Sequence, residues 1–170
     1  MNSASQPVFV ALGSNVGDSV TILRKALQSL QKLSVTPLRV SSFWQTTPVD
    51  CPPGSPPFVN AVAMLTPQPG ETPESLLAKL LALEKEFGRR PKKILNEPRR
   101  LDLDLIAFGD ETRLAAQITL PHPRACERRF VLQPLHEIAP ELVLPGQRRT
   151  VAQLLTALVN SEITVRLHAA

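Results

Sequence analysis

Tyrosine is absent from this 170-residue sequence, and aromatic residues make up only 4% of it. Proteins that bind single-stranded nucleic acids commonly stack the bases on exposed aromatic side chains. A chain with so few aromatics is poorly supplied with such platforms. We therefore expect no nucleic-acid partner, although the formal net charge is +4.

Cysteine is also scarce, since the chain contains only Cys51 and Cys126, which lie 75 positions apart. This spacing matches no metal-binding motif. In a reducing compartment two such thiols stay unpaired. We expect both cysteines to be structural.

Long apolar runs are missing as well. The longest fall far short of the roughly 20 residues that a membrane-spanning helix needs. Residues 1–7 show no basic stretch followed by an apolar core, so they do not resemble a secretion signal. These absences predict a cytoplasmic protein without a membrane partner, and the length predicts one domain over residues 1–170.

The basic residues are unevenly distributed along the chain. Six arginines and lysines fall within residues 89–100, and Arg124, Arg128 and Arg129 form a second group. Such clusters suit a polyphosphate or a nucleic acid. The charge pattern alone does not choose between these two ligands.

Hydrophobic periodicity predicts an α+β fold of the ferredoxin-like type. The first elements follow the order strand, helix, strand, strand, helix, strand, which is the split β-α-β pattern. Such a mainly antiparallel sheet is expected to carry helices on one face and to leave the other face free for a ligand. The strands are predicted at residues 8–12, 35–44, 58–65 and 101–108, and the helices at residues 19–30 and 73–87. Further helices are predicted at residues 130–138 and 151–159, and a last strand at residues 163–167.

Helix ends and one long loop carry clear local signals. Asp18 or Ser19 is expected to cap the first helix, and Thr72 the second, which Gly88 ends. Between residues 46 and 57 the chain has five prolines, so this stretch cannot pair inside a sheet. Long loops of this kind are often functional.

Asp102 and Asp104 alternate with leucines in the fourth predicted strand. Alternate side chains of a strand point to the same face, so the two carboxylates converge. Their repulsion needs compensation, and Mg²⁺ provides it because it prefers carboxylate and phosphate oxygens. An edge strand with one solvated acidic face is the alternative, and the motif alone does not decide between them.

Arginines lie on both sides of the acidic pair. Arg99 and Arg100 come directly before it, and Arg89 and Arg90 lie one loop away. Carboxylates, metal and arginines together are typical of phosphoryl transfer, and a mobile basic loop can close over phosphates. The alternative is a solvated basic loop that pairs loosely with the glutamates at positions 84, 86 and 97.

Two further motifs are ambiguous. Residues 13–15 lack the lysine of a phosphate-binding Walker loop and the glycine spacing of a dinucleotide fold, so the pattern favours a plain turn. His122 lies between two prolines, where a structural role is favoured and a hydrogen bond to a phosphate is the alternative.

Five segments in order along the chain carry a resemblance. They are residues 11–15, 58–61, 98–104 with 108–109, 121–122 and 134–140. Together they resemble the 6-hydroxymethyl-7,8-dihydropterin pyrophosphokinase family, over about residues 8–145. The resemblance implies a ferredoxin-like fold and two Mg²⁺ ions. It also implies transfer of pyrophosphate from ATP to the hydroxymethyl group of a reduced pterin in folate biosynthesis, leaving AMP.

The resemblance also implies a role for individual residues. Asp102 and Asp104 match the metal-binding pair, and Arg89 and Arg99 match catalytic arginines that engage the phosphates. The implied pterin pocket consists of Thr47, Val49, Phe58, Asn60 and Phe130. The implied ATP site consists of Leu77, Glu84, Arg89, Arg99, Leu105, Thr119, His122 and Arg128. By residue type alone, the two phenylalanines would be read as core residues.

The basic loop departs from the family pattern. Asn96 stands where the family usually has tryptophan, and Pro91 where it often has arginine. Lys92 or Lys93 is a candidate for the missing charge. We expect the loop to close differently and turnover to be lower than is typical. Leu81 and Pro123 replace a glutamine and a tyrosine common in the family.

Two other functions stay open. One is a different metal-dependent phosphotransferase or nucleotidyltransferase on the same fold, which would not need the pterin pocket. The other is a nucleic-acid binding module, against which the acidic pair argues because carboxylates repel phosphates when no metal is present. We expect a monomer that binds ATP and a reduced pterin.

Overall fold

A six-stranded antiparallel sheet forms the centre of the computed structural model, which describes residues 6–168. Its main path runs in the order β5 (Asp102–Phe108), β1 (Val8–Ser14), β4 (Phe58–Leu65), β3 (Phe43–Thr46) and β8 (Thr164–His168), and β2 (Arg39–Val40) also pairs with β4. The helices are α1 (Ser19–Gln31), α2 (Pro73–Glu86), α3 (Arg129–Ile138) and α4 (Val151–Ala157). A small hairpin of β6 (Arg113–Leu114) and β7 (Thr119–Leu120), and a short 3-10 helix at Ala125–Glu127, complete the fold.

The strand order is that of a ferredoxin-like sheet. The first elements follow the order β1-α1-β2/β3-β4-α2-β5. In the sheet, β1 lies between β5 and β4 and is antiparallel to both. The prediction of a ferredoxin-like α+β fold is confirmed.

The first two helices begin where their capping residues predict. The Asp18 carboxylate accepts a hydrogen bond of 3.2 Å from the Thr21 backbone N–H, so Asp18, not Ser19, caps α1. Thr72 and Ser75 form a reciprocal capping box at the start of α2. Gly88 follows α2 with φ +91°, a left-handed conformation that glycine adopts without strain and that ends the helix.

The sheet is covered on both faces, so the prediction that one face would be free is wrong. Val8, Val10 and Leu12 pack against α1 and α2 on one face. Phe9 and Ala11, on the other face, pack against α3 and α4. Both sets of alternating residues in β1 are apolar, and burying both requires two layers of helices. Only one end of the second face stays open.

The second predicted strand, residues 35–44, is interrupted, and this prediction is wrong in detail. It forms two short pieces, β2 and β3, separated by Ser41 and Ser42. The Ser41 backbone N–H donates to the Val62 carbonyl at 3.0 Å, while the Ser41 hydroxyl accepts from the Val62 N–H at 3.0 Å. A serine side chain thus replaces a backbone partner and breaks the regular ladder.

Within residues 6–168, no helix is long and apolar enough to span a bilayer. The prediction that the chain lacks a secretion signal concerns residues 1–7, of which 1–5 lie outside the described part. Cys51 and Cys126 are both free thiols.

Candidate active site

A cavity of about 460 Å³ occupies the open end of the sheet, beside the start of α3. Every residue to which the resemblance assigns a role lines it. These residues are Thr47, Val49, Phe58, Asn60, Leu77, Glu84, Arg89, Arg99, Asp102, Asp104, Leu105, Thr119, His122, Arg128 and Phe130. The fold therefore collects residues from five separate segments around one space.

Strand register places the key polar side chains next to one another. Gly13 in β1 is paired with Asn60 of β4 on one side and with Asp102 of β5 on the other. Ala11 is paired with Asp104. Leu103 is buried against the α1 and α2 layer, so the two aspartates point to the opposite face, into the cavity.

Gly13 leaves space between the Asn60 amide and the Asp102 carboxylate, because it has no side chain. A Cβ at this position would lie 2.8 Å from Asn60 Oδ1 and 3.7 Å from the Phe58 ring. Real Cβ contacts are essentially never as short as the first of these distances, so any side chain at Gly13 would displace Asn60. The interpretation of residues 13–15 as a plain turn is wrong, because β1 extends to Ser14. No local pattern marks this close approach, because it depends on the register between β1 and β4.

The two aspartates have different environments. Asp102 lies 3.2 Å from Arg89 Nη1 and 3.7 Å from Arg99 Nη1. Within residues 6–168, no hydrogen bond or ion pair is made to the Asp104 carboxylate. Burial, and then repulsion from Asp102, raises the pKa of Asp104 to about 7. Asp104 is thus a carboxylate that a bound cation would stabilise.

Glu84 anchors the guanidinium of Arg89. It is fully buried, accepts a hydrogen bond of 2.7 Å from the Leu103 backbone N–H and forms an ion pair with Arg89. Burial raises the pKa of Glu84. The alternative of a loosely paired, solvated arginine therefore does not describe Arg89, which bridges Glu84 and Asp102.

Two arginines bring unpaired donors to the cavity. The Nε groups of Arg99 and Arg128 are buried, and neither has a hydrogen-bond partner in the described part of the chain. The Arg99 guanidinium lies 5.9 Å from the centre of the Phe58 ring, and that of Arg128 lies 5.4 Å from the Phe130 ring. Because an unpaired buried N–H is costly, both groups are ready to bind an anion.

The predicted pterin-binding residues form one wall of the cavity. Phe58 and Phe130 are half-buried, which does not fit two ordinary core residues. The Asn60 amide donates a hydrogen bond of 2.6 Å to the Thr46 hydroxyl, which fixes the orientation of the side chain. The Thr47 backbone N–H and hydroxyl are both bonded to Ile163, so the chain segment beyond α4 reaches this wall.

The loops around the mouth of the cavity are joined by contacts that the sequence did not reveal. Asn96 donates to the Asp50 carbonyl at 2.7 Å, and Arg124 contacts the Asp50 carboxylate at 3.3 Å. The Asn15 side chain accepts from the Arg99 N–H at 2.8 Å and donates to the Pro56 carbonyl at 3.3 Å. The proline-rich loop is therefore tied to both basic segments.

The carboxylate pair fits a magnesium ion that is shared with a substrate. Among residues 6–168, no group of three or more acidic, histidine or cysteine side chains could enclose a metal. Mg²⁺ does not require such an enclosure, because it usually takes one or two carboxylates and completes its shell with phosphates and water. The free Asp104 carboxylate beside Asp102 supplies such a partial set.

A family model matches most of the chain. The model of 7,8-dihydro-6-hydroxymethylpterin-pyrophosphokinase (HPPK) matches residues 9–140. The chain belongs to the HPPK family. The predicted resemblance and the assignment to the pyrophosphokinase class are both confirmed by this match.

Curated relatives agree with the family model. A 2-amino-4-hydroxy-6-hydroxymethyldihydropteridine pyrophosphokinase of Haemophilus influenzae is 39% identical over 153 residues, which are 89% of this chain and 90% of the relative. The protein of the same name from Pseudomonas aeruginosa is 38% identical over 89% of this chain and 91% of its own length. The "Folic acid synthesis protein fol1" of Pneumocystis carinii is 33% identical over 94% of this chain, but the chain spans only 21% of it.

Solved structures of longer HPPK-DHPS proteins share the fold. A Plasmodium falciparum HPPK-DHPS triple mutant with pteroate superposes with a TM-score of 0.71 at 14% identity, covering 89% of this chain and 43% of that one. An HPPK-DHPS in complex with substrates gives a TM-score of 0.72 at 12% identity, covering 90% of this chain and 43% of that one. At such low identity these likenesses show the fold alone.

Proposed function

We propose that this HPPK-family chain transfers pyrophosphate from ATP to the hydroxymethyl group of 6-hydroxymethyl-7,8-dihydropterin, giving AMP and the pterin diphosphate. The observation that carries the proposal is the row formed by Asn60, Gly13 and Asp102 across three neighbouring strands. It sets an amide suited to a heterocycle edge next to carboxylates suited to a metal, with no side chain between them.

Asp102 and Asp104 are the residues that would hold Mg²⁺. When bound, magnesium neutralises phosphate charge and lowers the pKa of a hydroxyl that it contacts. Asp104 presents its carboxylate to the cavity without a competing partner in the described part of the chain, while Arg89 and Arg99 offset the charge of Asp102. That the site takes two ions, as the resemblance implies, stays a prediction.

Arg89, Arg99 and Arg128 are suited to bind the phosphates of ATP. Catalysis of phosphoryl transfer consists mostly of positioning and charge stabilisation, for which fixed guanidinium groups are apt. The free Nε groups of Arg99 and Arg128 supply directed donors. Glu84 takes part indirectly, because both of its carboxylate oxygens already bind protein groups and hold Arg89 in place.

His122 is suited to donate to a phosphate oxygen. Burial, and then the positive charge of Arg128, lowers the pKa of His122, so the ring is neutral at pH 7. Its Nδ1 accepts a hydrogen bond of 3.3 Å from the Arg124 backbone N–H, which leaves the proton on Nε2. A neutral ring with one directed N–H thus faces the cavity.

The two ligands would occupy different parts of the cavity. Phe58 and Phe130 offer flat faces to a pterin ring, and Asn60 reads its edge. Leu77 and Leu105 offer apolar contacts to adenine, and Thr119 lines the same cavity. A monomeric state and a cytoplasmic location stay predictions.

Measurement of AMP release tests this proposal. With Mg²⁺, ATP and the reduced pterin, the wild-type protein should release AMP, and release should require the pterin. Asp102→Ala and Asp104→Ala should abolish release while circular dichroism stays unchanged. Asp110→Ala removes an exposed acidic side chain outside the cavity and serves as the charge-matched control.

Two results would count against the proposal. AMP release that does not depend on the pterin would indicate the alternative, a different phosphotransferase on the same fold. Near-normal turnover by either aspartate variant would show that this aspartate is not needed to hold Mg²⁺. Asn60→Ala should weaken pterin binding more than ATP binding, and equal effects on both would contradict a role at the pterin edge.

A further inference from the structure

The first turn of α3 is capped by a residue from a distant segment. Arg128 occupies the N-cap position, but its side chain makes no capping hydrogen bond. The N–H groups at the start of a helix need acceptors. The Glu162 carboxylate, which follows α4, accepts a hydrogen bond of 3.0 Å from the Phe130 N–H. Glu162 therefore supplies the cap that α3 itself lacks.

The residue after Glu162 is bonded to another segment that lines the same cavity. The Ile163 carbonyl accepts a hydrogen bond of 3.1 Å from the Thr47 backbone N–H. The Ile163 N–H donates in turn to the Thr47 hydroxyl at 3.2 Å. Thr47 and Phe130 both line the cavity. Two consecutive residues thus connect two cavity-lining residues, Thr47 and Phe130, that are 83 positions apart in the sequence.

We propose that Glu162 is a positioning residue for the pterin slot, acting through the first turn of α3 to set the place of Phe130. This role rests on the proposed function, because it takes Phe130 to be a wall of that slot. Glu162 lies outside residues 9–140, the part that the family model matches.

The surroundings of Glu162 support a fixed position for its side chain. The carboxyl group is half-buried. A negative charge at a helix N-terminus is favoured by the helix dipole. The Arg129 guanidinium donates to the Leu158 carbonyl at 3.1 Å, which adds a second tie between α3 and the same segment. Arg128, whose guanidinium lies over the Phe130 ring, precedes this capped turn directly.

Two variants of the full chain separate positioning from folding. Glu162→Ala removes the acceptor, and Glu162→Gln keeps a side-chain oxygen that can accept from the same Phe130 N–H group. We expect Glu162→Ala to weaken binding of the reduced pterin by roughly tenfold in calorimetry. Glu162→Gln should restore most of that loss. Glu141→Ala removes an exposed carboxylate outside the cavity and should leave pterin binding unchanged.

Amide hydrogen exchange gives a readout that does not need activity. In Glu162→Ala, exchange at the Phe130 amide should be faster than in wild type at a temperature where both proteins are folded. An unchanged exchange rate at this amide would show that Glu162 does not cap α3. Faster exchange with unchanged pterin affinity would overturn the positioning role. A wild-type protein that binds no pterin would contradict the proposed function instead, and the exchange result would still decide the cap.

Discussion

The Asn96 side chain donates a hydrogen bond of 2.7 Å to the Asp50 backbone carbonyl, and so joins the basic loop to the proline-rich loop. Both residues adopt left-handed backbone conformations, with φ of +54° for Asn96 and +52° for Asp50. Asparagine and aspartate tolerate this conformation better than most residues. Asn96, at the position where the resemblance implies a tryptophan, thus holds the loop by a polar contact.

Asn96→Gly tests this contact without adding backbone strain, because glycine accepts a positive φ. We expect the KM for the pterin to rise roughly threefold to tenfold, in line with the loss of a hydrogen bond of about 1 kcal/mol. Thermal unfolding should be almost unchanged. Steady-state kinetics that match wild type would show that the contact does not contribute to binding.

Gly13→Ala is expected to damage the pterin site selectively. The added Cβ would lie 2.8 Å from Asn60 Oδ1, so the amide must move. Pterin affinity should fall by about tenfold or more, the equivalent of at least about 1.4 kcal/mol, while ATP affinity changes little.

Gly70→Ala is a useful contrast to Gly13→Ala. Gly70 has φ +81°, and no atom lies within 4 Å of the place that a Cβ would take, so the variant carries backbone strain but no collision. It should lose about 1 kcal/mol of unfolding free energy and bind both ligands normally. Equal pterin affinity for the two variants would contradict the close approach at Gly13.

Lys92 and Lys93 offer a matched pair of variants. Lys92 lines the main cavity and a smaller one formed by the basic loop, whereas Lys93 lines only the smaller one. Lys92, not Lys93, is therefore expected to supply the charge that the resemblance implies at the position of Pro91. Lys92→Ala should raise the KM for ATP roughly threefold to tenfold, about 1 kcal/mol for one exposed charge, and Lys93→Ala should leave it unchanged. The reverse order of effects in an AMP-release assay would reject this assignment.

Glu137 should make stability depend on pH on the acid side. Burial alone would raise the pKa of Glu137, but hydrogen bonds from Ser42 and Trp44 and the charge of Arg166 outweigh it, so the pKa lies below its ordinary value. In the unfolded state Glu137 has its ordinary, higher pKa and binds a proton more readily. The stabilisation by ionised Glu137 is therefore fully present above about pH 4.5, and it is lost as the pH falls through the folded-state pKa.

Urea unfolding of wild type and Glu137→Gln measures this contribution. At pH 7 the variant should be less stable by roughly 1–2 kcal/mol, because the ionised acceptor for Ser42 and Trp44 is lost. The difference should shrink as the pH is lowered towards 3. A difference that stays constant over this range would show that the charge of Glu137 is not involved.

Local patterns in the sequence predicted the elements that local physics controls. Asp18 and Thr72 cap helices because a short polar side chain reaches the backbone N–H groups directly after it. The alternation in residues 101–105 correctly separated buried leucines from cavity-facing aspartates. The interruption at Ser41 was not predictable, because it depends on a hydrogen bond to Val62 across the sheet.

The membership of the candidate site was also accessible from sequence, but its connections were not. The resemblance, which rests on residue types and their order, assigned Asp102, Asn60 and Phe130 to one site. Nothing near Glu162 in the chain marks it as a neighbour of a cavity residue, since its partner Phe130 lies 32 positions away. Asn15 lies in a segment that carries the resemblance, but its contact with Arg99, 84 positions away, leaves no local signal.

The sequence by itself determined the alternation of strands and helices, the paired acids and the family, because these depend on residue types at short spacing. Only the tertiary structure decided that Gly13 must lack a side chain, that two helix layers cover the sheet and that the segment after α4 caps α3. Each of these depends on strand register or on packing between segments distant in sequence. Such contacts leave no periodic or local signal in the chain.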